Sequence, residues 1–540
     1  MTLRLAAPAI LLSSLLLLPF LNRPFTIDDP IFMRAAKHAL VDPLHPADFE
    51  QVWNLGDRQM LSEFLVSGTL PAYVLLPVAA LGGREWMAHL YQLLLLAVLL
   101  VASVSVARRL GFDRGQAKTA GLLIASNPVT LAMAATAMPD VMAAMFGMAG
   151  MDRLLLYRQQ RRWGAGLAAG LLLAAAVLCR ASAVPLVVAA ALLVMPSTWK
   201  RAAARLWPLG VAAVAVALFA GLNREPAADA GVGSALPMLI SLRNVPRNLV
   251  AVLCFQALTG PLLLYALLGR GRKFAGMVAG LVVLGVTLSM VTGEAHLARY
   301  AVPEALGVCF LLACVGMVRD IRRQPLPDGR GSDLLAEPRP LGSVLPLVVW
   351  LGSGLIALPY IYMGAKFLLP GVPAAALLMV LHAARVRQPR YPRMVAVVVA
   401  LGCIAGALIV AGDTTLAVSQ REAVEGLIAP RIQPGSRVWA GGQWTFLAYA
   451  EDAGAMALAN TPPLPAPGDT IVVSRINYYG MLNSLPIRLE RLDTRTDRRC
   501  GAFVLNGALS AGFYSNRIGY LPFAIGCGEV NTYDIYRVLP

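Results

Sequence analysis

The chain has 540 residues, of which 58% are hydrophobic and 14% charged, and its mean hydropathy is +0.65. That balance excludes an ordinary soluble enzyme. The net charge of +16 sits in short cationic clusters between apolar runs, a pattern of membrane topology rather than of a nucleic-acid surface, so a nucleic-acid partner is not expected.

Apolar runs of about 15 to 22 residues recur along most of the chain, each about long enough to cross a bilayer core as a helix. The first, Leu5 to Leu21, follows Arg4 and has no small-x-small cleavage site. It reads as a retained signal anchor with the N-terminus inside. The clusters Arg108/Arg109/Arg114/Lys118, Arg158/Arg161/Arg162, Lys200/Arg201/Arg205, Arg270/Arg272/Lys273, Arg319/Arg322/Arg323 and Arg385/Arg387/Arg390/Arg393 are expected in the cytoplasm.

Consecutive cytoplasmic clusters must be separated by an even number of crossings. The predicted spans are 5–21, 86–107, 119–137, 141–157, 165–179, 183–195, 207–222, 248–268, 274–291, 301–318, 343–358, 368–384 and 394–411, thirteen in all. Residues 69–82, with Pro71, Pro77 and Gly82, would invert everything downstream if they crossed. They are expected to lie at the outer surface or dip into it.

The expected architecture is a polytopic α-helical membrane protein with about thirteen transmembrane helices and a C-terminal extracytoplasmic α/β domain. Residues 1–411 form the membrane part, with a first outer loop at 22–85 and a cytoplasmic loop at 319–342; residues 412–540 form the external domain. Strand-like runs there are Ser436–Ala440, Asp469–Ser474, Ile487–Leu492 and Tyr533–Leu539, with helical patterns at Leu416–Ala429 and Trp444–Asp452. Gln324–Pro340 is rich in Pro, Gly and charge and is expected to be an unstructured loop. Five of seven cysteines fall in predicted spans; Cys500 and Cys527 fall outside them and could form a disulfide or remain thiols. There is no metal-type Cys/His spacing, Walker lysine loop or G-x-G-x-x-G.

The chemistry is expected at the outer face. Phe25-Thr26-Ile27-Asp28-Asp29-Pro30 places two carboxylates at the membrane surface, where a general base for an acceptor hydroxyl would stand. Helix capping by Asp29 before Pro30 is the alternative. Asp140, in Met138-Pro139-Asp140, has the same two readings. Arg180 and Arg299 break the positive-inside pattern, and guanidinium groups match phosphate oxygens. Snorkelling to water or pairing with a carboxylate such as Glu294 would equally account for them. Lys366, in another outer connection, could join them.

This arrangement resembles the GT-C glycosyltransferases: one anchor helix, a large first outer loop opening on an acidic pair, a second acidic residue after the third span, and an external C-terminal domain. It is most similar to the protein mannosyltransferase and lipid A aminoarabinose transferase group, the glycosyltransferase 39 class. Asp28-Asp29 stands where that group carries an Asp-Glu or Asp-Asp motif, and Asp140 where its second acidic motif falls. Leu178-Cys179-Arg180 replaces the usual Leu-Thr-Lys, and Arg299-Tyr300-Ala301-Val302-Pro303 matches Arg/Lys-Tyr-x-x-Pro.

The resemblance implies transfer of a hexosyl or pentosyl group from a polyprenyl-phosphate carrier to an acceptor hydroxyl on a lipid, glycan or protein, at the outer face of the cell membrane. Asp28 or Asp29 would act as base and Asp140 would position a sugar. Arg180 and Arg299, with His296, Tyr300 and Lys366, would bind the carrier phosphate. No nucleotide donor or obligatory cofactor is implied, although two carboxylates could hold a divalent metal. Residues 60–85 would roof the lipid entrance, and the external domain is not expected to carry the reaction. A transporter or flippase of lipid-linked saccharides, a ligase-like protein and an inactive relative are the competing readings.

Overall fold

A computed structural model describes residues 1–540 apart from 53–55, 57, 65–67, 196–201, 223–239, 293–294, 324–343, 387–389, 443 and 477–480; the side chains of 295–303 and of several nearby helical residues are also outside the description. The expected loop Gln324–Pro340 therefore lies outside the described residues.

Among the described residues, five helices are long and apolar enough to cross a membrane: Thr2–Phe20, Glu85–Arg109, Arg205–Leu222, Ala365–Val386 and Tyr391–Arg431. A sixth arises if Leu242–Thr259 and Pro261–Gly269, bent by 61°, count as one span. Trp163–Cys179, Ala181–Val194 and Val344–Ala357 are shorter apolar helices. Among the described residues, two of the thirteen expected spans are broken, and local chemistry accounts for each break. The run 119–137 breaks at Asn127, whose side chain accepts from the amides of Val129 and Thr130 while Pro128 opens the new helix Pro128–Ala134. The run 248–268 divides at Gly260, and its second part continues as one helix, Pro261–Thr292, straight through Arg270, Arg272 and Lys273. Residues 69–82 fold as two five-residue helices, Leu70–Val74 and Leu76–Ala80, each with a proline in its first turn; five residues rise only about 7.5 Å.

The long helices keep an aliphatic stripe uncovered. Leu11 and Leu15, Leu94 and Val98, Val214 and Leu218, and Val397, Leu401 and Ile404 are all exposed, at the spacing of one helix face. Acyl chains would cover such a surface; water would not.

The helix Tyr391–Ala423 has 33 residues, a length of about 50 Å, so the expected boundary at residue 411 falls inside it. Beyond it lies a five-stranded sheet in the order Met456–Ala457, Val438–Gly441, Thr470–Ser474, Ala524–Val538, Leu489–Phe503. Its first three strands are parallel, and the rest pair antiparallel. Trp444–Asp452 is helical. The last two strands extend well past the runs read from the sequence, and Cys500 faces Cys527 across them in a disulfide. A Cβ at Gly412 would lie 3.0 Å from the backbone of Ala502, so a residue without a side chain lets this ribbon lie on the long helix. Between the two strands, residues 504–523 return to the helices, where Phe513 O accepts from the amide of Ala365 at 2.7 Å.

Candidate functional site

The acidic turn, residues 25–29, is pinned at its start by the helix Trp444–Asp452. The amide of Phe25 donates to Tyr449 Oη (2.9 Å), and the hydroxyl of Thr445 donates to Phe25 O (3.0 Å). Ile27 then takes a left-handed conformation, φ 49°, although it is β-branched and buried. Such a residue costs about 1–3 kcal/mol and needs its surroundings to enforce it.

The two adjacent carboxylates end in opposite environments. Asp28 occupies the cap position of the helix Asp29–His38 but makes no capping bond; it accepts instead from Lys366 Nζ at 2.8 Å. Its side chain is 22% exposed against 4% for Lys366. Asp29 is fully buried, and its two oxygens accept the amides of Thr26 (3.0 Å) and Ala137 (2.8 Å). Burial pushes its carboxyl up to about 7, with Arg23 and the Thr26 amide opposing.

Asp140 also makes no capping bond, although it is the first residue of the helix Asp140–Gln160. Its Oδ2 accepts from Arg180 Nη1 at 2.6 Å, while Oδ1 is buried without a partner. Arg180 stands in extended backbone where the helix Trp163–Cys179 ends, and its guanidinium lies 4.8 Å above the ring of Phe367. The first loop reaches this point through Gly68, at φ 76°, where a Cβ would sit 2.4 Å from Leu178 O. Lys366 and Asp28 are close enough to act on the charge of Asp140. Asp28, Asp140, Arg180 and Lys366 therefore form one constellation, with Asp29 buried beside it. The side chains of His296, Arg299 and Tyr300 lie outside the described residues.

Two carboxylates opposite two cations can exchange partners. An incoming phosphate can take Lys366 and Arg180, which frees Asp28 to accept from a hydroxyl. Among the described residues, no group of three or more His, Cys, Asp and Glu side chains is placed to hold a metal ion.

Behind this cluster is a buried network that sequence reasoning missed. Asp413 accepts from Arg23 Nη1 (2.9 Å), the Thr26 hydroxyl (2.9 Å) and the Tyr514 hydroxyl (3.0 Å). The available signal was Asp413 itself, a lone carboxylate at the end of a long apolar run; for Tyr514 there was none.

The family described as dolichyl-phosphate-mannose-protein mannosyltransferase matches residues 68–222. Over this segment, less than half of the chain, it resembles the GT-C glycosyltransferases. The matched segment contains Asp140 and Arg180 and stops short of Asp28, Asp29 and Lys366. No curated protein matches the sequence. Among solved structures, the chain is similar to ArnT from Cupriavidus metallidurans bound to undecaprenyl phosphate, at 15% identity and a TM-score of 0.45 over 91% of this chain and 96% of that one. It is also similar to the oligosaccharyltransferase AglB from Archaeoglobus fulgidus in complex with an inhibitory peptide and a dolichol-phosphate (13%, TM-score 0.48, 88% and 69%). A third similarity is to the arabinofuranosyltransferase AftD from Mycobacteria (15%, TM-score 0.44, 100% and 40%).

Proposed function

We propose that this protein transfers a sugar from a polyprenyl-phosphate carrier to an acceptor hydroxyl of a lipid, glycan or protein. The observation that carries the reading is the pairing of a partly open carboxylate, Asp28, with a buried cation, Lys366, beside Asp140 and Arg180. The acceptor oxygen attacks the anomeric carbon, and its proton passes to the Asp28 carboxylate. The bond from that carbon to the phosphate oxygen breaks with inversion, its electron pair stays on the carrier phosphate, and Lys366 and Arg180 offset the charge. Arg299, with His296 and Tyr300, is assigned to the same phosphate, and Asp140 to orienting Arg180 and a sugar hydroxyl.

The reaction is assigned to the outer face of the cell membrane, with the N-terminus in the cytoplasm. The Cys500–Cys527 bond supports an oxidising compartment for the sheet. Clustering of the charges at the sheet-facing end of the helices favours a transferase over a flippase, which would place them at the bilayer midplane.

The test is mass spectrometry of lipids that co-purify with the wild type and with Asp28→Asn. An isoprenoid phosphate on the wild type and its glycosylated form retained by the variant is the expected result. Absence of isoprenoid lipid from both would overturn the reading.

A further inference from the structure

The segment 513–517 belongs by sequence to the C-terminal sheet, yet it is bonded to the loop that delivers Lys366. Besides the Ala365–Phe513 bond, the Met363 amide donates to Asn516 Oδ1 (2.8 Å), and the Asn516 amide donates to Met363 O (2.9 Å). Asn516 Nδ2 further donates to Asn248 Oδ1 at 2.9 Å. The approach is so close that a Cβ at Gly364 would lie 2.7 Å from Tyr514 O. Tyr514 itself is 4% exposed and touches both halves of the site. Its ring centroid is 5.6 Å from Lys366 Nζ, and its hydroxyl donates to Asp413, which in turn binds Arg23 and Thr26 at the entry to the acidic turn.

We propose that Tyr514 is a positioning residue that sets Lys366 through its ring and the acidic turn through its hydroxyl. This rests on the transferase reading above for its kinetic consequence only. A cation placed against an aromatic face is attracted by the ring quadrupole, which directs the ammonium toward Asp28. The hydroxyl supplies one of the three donors that fix the Asp413 carboxylate. The two contacts are separable, because phenylalanine keeps the ring and removes the hydroxyl.

The experiment uses the full-length protein in lipid nanodiscs as wild type, Tyr514→Phe and Tyr514→Leu. Reductive methylation with peptide mass spectrometry reads the exposure of the Lys366 amine, with exposed Lys37 and Lys118 as internal references. Tyr514→Phe is expected to label Lys366 at the wild-type rate, and Tyr514→Leu at least fivefold faster, with the references unchanged. In transfer assays with a polyprenyl-phosphate sugar, Tyr514→Leu is expected to raise the donor KM severalfold. Tyr514→Phe is expected to lower kcat severalfold with KM within twofold. A merely structural role would reduce the active fraction in both variants and leave KM alone. Unchanged Lys366 labelling in folded Tyr514→Leu would overturn the proposal. If that variant does not fold, Asn516→Ala replaces it, with the same fivefold expectation and the same overturning result. Faster Lys366 labelling with no sugar transfer by the wild type would uphold the positioning role and overturn the transferase reading.

Discussion

Lys366 Nζ lies 2.8 Å from Asp28 Oδ2, across 338 residues of sequence. Lys366 is 3% exposed and stands at the start of a long, mainly apolar helix. Removing an ammonium from water costs several kcal/mol unless a partner offsets it, and Asp28 is that partner. The pair therefore holds Asp28 and Lys366, the proposed base and the proposed phosphate-binding cation, in one place.

Asp28→Asn is expected to lower sugar transfer by roughly 100-fold or more, the usual contribution of a general base. The amide oxygen still accepts from Lys366 but no longer offsets its buried charge, so the melting temperature should fall as well, and transfer is compared per folded protein. Transfer at the wild-type rate would remove Asp28 from the chemistry.

Asp29→Asn should act on stability instead. Both of its oxygens accept backbone amides, whereas asparagine offers one oxygen. One amide is then buried without an acceptor, at a cost of about 1–3 kcal/mol. Thermal unfolding should shift down by several degrees, with residual transfer proportional to the folded fraction.

The same carboxyl gives a pH signature. Its pKa is raised from the ordinary 3.8 to about 7 by burial, so the folded state keeps a proton that the unfolded chain releases near pH 4. Between about pH 4 and 7 the folded state binds more protons, and this group's contribution to stability falls as pH rises through that window and levels off above it. Melting temperatures measured from pH 5 to 8 should show this decline in the wild type. Asp29→Asn should flatten it.

Asp413→Ala removes the acceptor shared by Arg23, Thr26 and Tyr514. It leaves the Arg23 guanidinium buried, with Nε and Nη2 already lacking partners. Breaking a buried pair in this way costs about 3–5 kcal/mol. A sharp fall in folded yield is expected, with Asp413→Asn intermediate.

The Cys500–Cys527 bond closes a separation of 27 residues, for which chain entropy gives about 3.5 kcal/mol. Alkylation before reduction should leave both thiols unmodified. Cys500→Ser with Cys527→Ser should make the 489–538 ribbon more sensitive to protease, without loss of the membrane helices.

Hydropathy made the membrane class legible, because burying apolar length in lipid depends on composition alone. Asp28, Asp140 and Arg180 were visible as charges that apolar surroundings must compensate. The capping alternative for Asp29 and Asp140 is not decided by spacing, since a cap and a buried or ion-paired carboxylate use the same residue at the same position. Helix breaks were less legible: Asn127-Pro128 is a strong start signal, but the apolar run masks it, and Gly260 acts through the bend it permits.

The sequence by itself determined that this chain lives in a membrane, that acidic residues follow its first helix, and that strands follow its last. Only the tertiary structure decided which carboxylate is open and which is buried, because Asp28 and Asp29 are neighbours whose surroundings are set by Lys366 and Ala137 from distant segments. It also decided that residues 513–517, in the connection between two strands of the sheet, reach Lys366. That contact depends on backbone hydrogen bonds and close approach at Gly364, which leave no mark in hydropathy, charge or spacing.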